Sequence, residues 1–288
     1  MNDVLKKMLS SYNPETLSEA VNALREIVQE IALLGLSRSS FFSRAAFYGG
    51  TALRIFYGLN RFSEDMDFSL LREDDSFALS EYGEYMKKEL ESFGFVVNFE
   101  PGGKKRKSAI ESAFLKADSK SNLLVIDTGS AFADTLPRGQ LLKIKIEVDT
   151  DPPLLFDTET KYHLRPIPFS ARVYVLPDMF AGKMHALLCR DWKAHVKGRD
   201  WYDFVWYVSQ NIPLHLKHLE ARMRQSAHLE KNANLTPSVF AKRLDERIEG
   251  LDVDSARKDL ERFIAPSESV DIWSKDFFRA VSEKIVLV

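Results

Sequence analysis

Two carboxylates, Asp65 and Asp67, stand two residues apart in the run Ser63-Glu64-Asp65-Met66-Asp67-Phe68. Residues 65–70 alternate polar and apolar side chains, the pattern of a half-buried strand. Side chains at i and i+2 of a strand share a face, so the two carboxylates should lie side by side. In partly shielded surroundings their repulsion is on the order of several kcal/mol. A divalent cation removes that cost, and Mg²⁺ commonly binds one or two carboxylates together with substrate phosphates. Upstream, Gly49-Gly50-Thr51 opens a short helical segment, 51–57. Glycines let backbone N–H groups approach phosphate closely, and a helix N-terminus adds a favourable dipole. Thr51 can add a hydroxyl donor and Arg54 a positive charge. An isolated Asp-x-Asp is usually a solvated pair and an isolated Gly-Gly usually a turn. Their succession, with a strand pattern on the second, is what points to a metal-phosphate site.

A second charged strand follows. Lys143, Lys145, Glu147 and Asp149 alternate with Ile144, Ile146 and Val148. The apolar set should face the core and the charged set the opposite side. Either Glu147 or Asp149 can then supply a third carboxylate, as metal ligand or as the base that accepts a hydroxyl proton. The competing reading is an exposed, charged strand face.

These strings resemble a known superfamily. A Gly-Gly turn, a short helix and Asp-x-Asp on a strand look like the DNA polymerase β-type nucleotidyltransferases. The longer strings, Tyr48-Gly49-Gly50-Thr51-Ala52-Leu53-Arg54 and Arg61-Phe62-Ser63-Glu64-Asp65-Met66-Asp67-Phe68, resemble one branch, the AbiEii/AbiGii toxin family that includes the MenT toxins. Lys143-Ile144-Lys145-Ile146-Glu147-Val148 looks like the branch's third-carboxylate strand. Lys183 in Ala181-Gly182-Lys183-Met184, and Arg199-Asp200-Trp201-Tyr202-Asp203, look like its C-terminal motifs. The matched motifs span residues 48 to 203. Gly50-Thr51 stands where many members of the superfamily have Gly-Ser.

The resemblance implies transfer of a nucleotide from an NTP with Mg²⁺ or Mn²⁺, by a toxin opposed by a cognate antitoxin. It implies an RNA acceptor, with the 3′ end of tRNA as the specific expectation. It favours Glu147 over Asp149 as the third metal ligand beside Asp65 and Asp67. Gly49, Gly50, Thr51, Arg54, Ser63, Arg199 and Asp200 become nucleotide or phosphate contacts. Lys183 becomes a clamp on the leaving triphosphate, and Asp203 a further catalytic group. Asp200 and Asp203 lie at i and i+3 on one helix face, where one can position Lys183 or Arg199 and the other hold nucleotide or metal. In some relatives the serine matching Ser63 can be modified, and a phosphate there would put negative charge beside the metal.

The elements that must position these groups are legible in outline. A helix over 14–36 shows Leu17, Val21, Leu24, Ile27, Ile31 and Leu34 at helical spacing, with Asn13 as its cap and Pro14 in its first turn. A short helix is expected over 41–46 and another over 77–93. Strands are expected over 95–99, 112–116, 123–127 and 142–150. After about residue 176 the pattern turns helical, over 177–190, 199–209, 213–232, 236–248, 252–264 and 270–286. The expected fold is α+β: a polymerase β-like mixed sheet with flanking helices in 1–175, then an α-helical domain in 176–288 that completes the nucleotide site.

Bulk composition narrows the rest. With 288 residues, 45% of them apolar, the chain can bury a large core, and its 20 Phe make that core aromatic. A formal charge of −2 gives no global pull toward nucleic acid, so an RNA path needs a local basic patch. Lys104-Lys105-Arg106-Lys107 and the stretch with Arg190, Lys193, Lys197 and Arg199 are the candidates. His185 and His195 flank the latter without metal-ligand spacing and read as bystanders or phosphate neighbours. The single cysteine, Cys189, reads as a buried bystander thiol and fits a reducing compartment. No apolar run nears the roughly 20 residues of a membrane span, and the expectation is a cytoplasmic protein. Two alternatives stay open: nucleotide addition to a protein hydroxyl, and a non-catalytic module that binds nucleotide or antitoxin.

Overall fold

The computed structural model describes residues 3–101, 119–127, 141–153, 155–190, 196–230, 232–264 and 270–288. The expected strand over 112–116, the basic run Lys104 to Lys107, and Lys193 and His195 lie outside them.

Two helices open the chain, α1 (Asp3–Ser10) and α2 (Leu17–Ser37). The second starts later than its periodicity suggested. Thr16, not Asn13, is the cap: Glu19 donates its N–H to Thr16 Oγ1 at 3.2 Å, and Glu19 Oε2 accepts from the Thr16 N–H at 3.4 Å. This reciprocal box satisfies two otherwise unpaired donors, whereas Asn13 sits in a left-handed turn with φ 44°.

Next come α3 (Phe41–Arg44), strand β1 (Ala45–Tyr48), α4 (Gly49–Tyr57) and β2 (Met66–Leu70). Ala45 and Ala46, expected in a helix, belong to β1. Both are fully buried in the middle of the sheet, where tertiary packing overrides the helix preference of alanine. The first half is completed by α5 (Ser80–Ser92), β3 (Val96–Pro101), β4 (Ser119–Asp127), β5 (Leu141–Asp149), β6 (Thr158–His163) and β7 (Phe169–Tyr174). The last two strands were not anticipated. The helices that follow are α6 (Leu176–Cys189), α7 (Gly198–Ser209), α8 (Leu216–Gln225), α9 (Pro237–Glu249), α10 (Val253–Leu260) and α11 (Lys275–Ser282).

The strands form one mixed seven-stranded sheet in the order β3-β4-β5-β2-β1-β7-β6. At its centre β2 runs antiparallel to β1 and parallel to β5. Beside them Phe41, Phe47 and Phe68 pack with ring centroids 4.8–4.9 Å apart, so the phenylalanine-rich composition does fill the core. In the helical half Phe180 of α6 stacks on Tyr207 of α7 at 4.5 Å. The last residues return to α8: Leu214 donates to Val286 O at 2.7 Å and accepts from the Val288 N–H at 3.0 Å. Among the described residues no helix is long and apolar enough to cross a membrane.

Candidate active site

Strand β1 passes directly into α4, and the residues at the junction are Gly49 and Gly50. Gly49 has φ 81°, and a Cβ on it would lie 2.7 Å from Asp67 Oδ2. A Cβ on Gly50 would lie 2.6 Å from Arg61 Nη2 and 3.0 Å from Ser63 Oγ. The glycines therefore leave room for the site's own side chains, Asp67 under one and Arg61 with Ser63 under the other.

Strand register decides which carboxylates meet. Asp67 pairs with Tyr48 across β1 and with Glu147 across the parallel neighbour β5. Asp149 pairs instead with Ser69, one pleat further along, and its Oδ1 accepts from the Asp151 N–H at 3.1 Å. Glu147 is thus the acid beside Asp67, and Lys145 Nζ lies 2.7 Å from its Oε1. Asp65 immediately precedes β2, and its carbonyl accepts from the buried hydroxyl of Thr51. Burial pushes the Asp67 carboxyl up to about 7, with the charges of Asp65 and Glu147 adding to it. Asp65 is raised for the same first reason, against the pull of Lys145. These acids repel one another in a place where water screens them poorly, the condition a divalent cation relieves. The donor set is oxygen only, which fits Mg²⁺ or Mn²⁺.

The opposite wall comes from the helical half. Lys183 on α6 places Nζ 2.6 Å from Asp200 Oδ1 and 2.8 Å from Asp203 Oδ2. Arg190 Nη1 reaches Asp200 Oδ2 at 3.0 Å. Burial works against the charge of Asp200, yet Lys183 and Arg190 outweigh it and hold the carboxyl at about 2. Asp203 is fully buried and is gripped from the other side by Arg61, whose Nε and Nη2 each donate at 2.6 Å. Both acids of the Arg-Asp-x-x-Asp motif therefore position cations.

Between the walls lies a cleft of about 470 Å³. Asp67 and Glu147 line it on the sheet side, and Lys183, Arg190 and Arg222 on the helical side. His185, Cys189 and His228 line it as well. Burial, with the Arg222 charge next, pulls His185 down to about 3. Burial pushes the Cys189 thiol up to about 11, so it is no nucleophile.

Three expected contacts sit elsewhere. Thr51 is buried and fixes the Asp65 backbone. Arg54 donates Nε to Glu26 Oε2 at 2.9 Å and Nη1 to Leu59 O at 3.0 Å, and its guanidinium lies over Phe62 at 4.7 Å. Arg199 lies 4.0 Å over the Phe263 ring and 3.4 Å from Glu64. The side chains of the first two have internal partners, and Arg199 flanks Glu64, beside Asp65. The structure also adds Arg61 and Arg222. Arg61 carried no periodic signal because its partner lies 142 residues away. Arg222 lay in a segment read only as helix.

The sequence model of the family described as "Nucleotidyl transferase AbiEii toxin, Type IV TA system" matches residues 31–281. No curated protein matches the chain in sequence. Among solved structures, the nucleotidyltransferase toxin MenT4 of Mycobacterium tuberculosis is similar with a TM-score of 0.62, 16% identity, and coverage of 97% of this chain and 88% of that one. The JHP933 protein of Helicobacter pylori is similar with a TM-score of 0.51, 17% identity, and coverage of 91% and 90%. At these identities the likeness shows a shared fold, and the family match carries the assignment. This chain, over most of its length, belongs to the AbiEii nucleotidyltransferase toxin family of type IV toxin–antitoxin systems.

Proposed function

We propose that the chain transfers a nucleoside monophosphate from an NTP to a hydroxyl of RNA, with the tRNA 3′ end as acceptor, in a reaction that depends on Mg²⁺ or Mn²⁺. The observation that carries this reading is the cleft with carboxylates on one wall and cations on the other. Asp67 and Glu147, adjacent by register and with Asp65 alongside, face Lys183, Arg190 and Arg222. A triphosphate carries several negative charges: the cations would meet its outer oxygens, and the acids would hold a divalent ion that offsets further charge.

Asp65, Asp67 and Glu147 would hold the metal. When bound, the ion would neutralise charge on the reacting phosphates and favour ionisation of the attacking hydroxyl. The chain's own residues do the rest. Asp200 and Asp203 hold the Lys183 ammonium in one place, so no side-chain freedom is lost when it meets the leaving phosphates. Arg61 locks Asp203 from behind. Glu147 takes the proton of the acceptor hydroxyl as its oxygen bonds to the α-phosphorus and the bond to pyrophosphate breaks.

The acceptor has its own approach. Arg25, Arg199 and Arg262 gather around Glu64 and Phe263, next to Asp65, and Arg25 and Arg262 line a second hollow of about 380 Å³. Such a patch suits a phosphate backbone, and it supports RNA over a protein acceptor. The division into 1–175 and 176–288 is part of the same proposal, with the second unit closing over the nucleotide. As a family member the toxin has an antitoxin partner.

The test is incubation of the purified chain with NTPs labelled at the α-phosphate and a total cell extract. Label in small RNA, abolished by ribonuclease, is the expected result. Label in protein would replace the RNA reading, and label in neither would leave a binding module.

A further inference from the structure

A second cluster of donors lines the same cleft. His185 and Cys189 lie one helical turn apart on α6, on one face, and His228 comes from the turn that follows α8. Each offers one ligand atom, and the three atoms lie within 4.8 Å of one another. Ligands of a tetrahedral Zn²⁺, with bonds of about 2.0–2.3 Å, stand about 3.3–3.8 Å apart. Side-chain shifts on the order of 1 Å or less, from the bond lengths just given, would close the site.

The surroundings are those of a ligating pair of histidines. Ser226 Oγ touches both imidazoles, His185 Nε2 at 2.7 Å and His228 Nδ1 at 3.0 Å. Its single proton goes to the Arg222 carbonyl, 3.0 Å away in its own helix. With both rings donating an N–H to Ser226, each would keep its other nitrogen as a lone pair for the ion. One outer partner would thus orient both rings, the arrangement found behind metal-bound histidine.

We propose that His185, Cys189 and His228 form a zinc site distinct from the carboxylate cluster, with a fourth position left to water or to a ligand in the cleft. The two donor sets select different ions. Two imidazoles and a thiol suit Zn²⁺, whereas Mg²⁺ prefers oxygen. Binding is an exchange in which the Cys189 thiol gives its proton to solvent as the Zn–S bond forms, so bound Zn²⁺ leaves a net charge of +1 beside Arg222 and Arg190. The bound ion joins α6, the helix of Lys183, to the end of α8.

The purified full chain, stripped with chelator and reloaded with Zn²⁺, should retain one zinc per chain after desalting. The Co²⁺-loaded chain should show a thiolate-to-cobalt charge-transfer band. Asp67→Asn should keep both signals. Removal of an outer partner costs about 10–100-fold in metal affinity, so Ser226→Ala should fall in that range and Cys189→Ser or His228→Gln at or beyond its upper end. Melting temperatures of the metal-free variants identify any that do not fold, and the cobalt band of the unsubstituted chain stands independently of them. No zinc retained by the unsubstituted chain, zinc retained equally by folded Cys189→Ser and His228→Gln, or zinc lost in Asp67→Asn would each overturn the proposal.

Discussion

Replacing Asp67 with asparagine should abolish activity and, increasingly as the pH rises above about 4, stabilise the metal-free protein. The folded-state carboxyl of Asp67 titrates at about 7, against 3.8 for an unperturbed aspartate. The folded state therefore holds this proton more tightly than the unfolded state. Below about pH 4 both states carry it, and the group leaves stability unchanged. As the pH rises from about 4 to about 7 the unfolded state gives up the proton and the folded state resists, so stability falls; above about 7 the loss is complete. At about 1.4 kcal/mol per unit the shift is worth at most about 4 kcal/mol. Asp67 borders the cleft, so part of that is screened, and about 1–3 kcal/mol is expected. Asparagine is close to a permanently protonated Asp67. Urea unfolding without metal should show Asp67→Asn more stable than the unsubstituted chain by that amount at pH 8, by roughly a third of it at pH 5, and nearly equal below about pH 4. Adding Mg²⁺ at pH 8 should stabilise the unsubstituted chain and not the variant. An equal difference across this pH range, or a destabilised variant at pH 8, would refute the argument that buried charges crowd at this position.

Other substitutions separate the positioning residues from those that meet nucleotide. Arg61→Ala leaves the buried Asp203 with Lys183 alone, so unfolding should become easier by about 3 kcal/mol; a loss under about 1 kcal/mol in urea titration would mean the pair contributes little. Thr51→Val removes the hydroxyl that holds the Asp65 carbonyl, so kcat for nucleotide transfer should fall with the KM for NTP nearly unchanged. A raised KM with unchanged kcat would return Thr51 to a phosphate contact. Arg54→Ala exposes the opposite contrast: stability should drop as the buried Glu26 loses its cation and keeps only the Tyr12 hydroxyl, while the KM for NTP stays as it was.

The chemistry of the site was more legible in the sequence than its wiring. Asp65 and Asp67 declared themselves because alternation along one short strand fixes which side chains share a face. The choice between Glu147 and Asp149 did not, since both lie on the same face of β5 and only the parallel pairing with β2 selects one. Strand β1 is four residues long and half alanine, too short for any period to show. β6 was hidden by its polar edge position, whereas β7 does alternate, Phe169, Ala171 and Val173 buried against Ser170 and Arg172, over a stretch only six residues long. Thr51 and Arg54 have the right chemistry for phosphate, but burial and internal partners, which a local pattern does not contain, direct them elsewhere. The i and i+3 spacing of Asp200 and Asp203 correctly placed them together. That they grip Lys183, Arg190 and Arg61 required elements distant in the chain to meet.

The central claim, that the Asp65–Asp67–Glu147 cluster opposite Lys183 transfers nucleotide, is tested most directly by Asp65→Ala. The side chain of Asp65 is partly exposed and the backbone bond from Thr51 survives its truncation, so the melting temperature should hardly move. Loss of a metal ligand removes several kcal/mol of transition-state stabilisation, so transfer of α-phosphate label to the acceptor should fall by about 10³-fold or more. Label transfer by a folded Asp65→Ala protein at the rate of the unsubstituted chain would contradict the account.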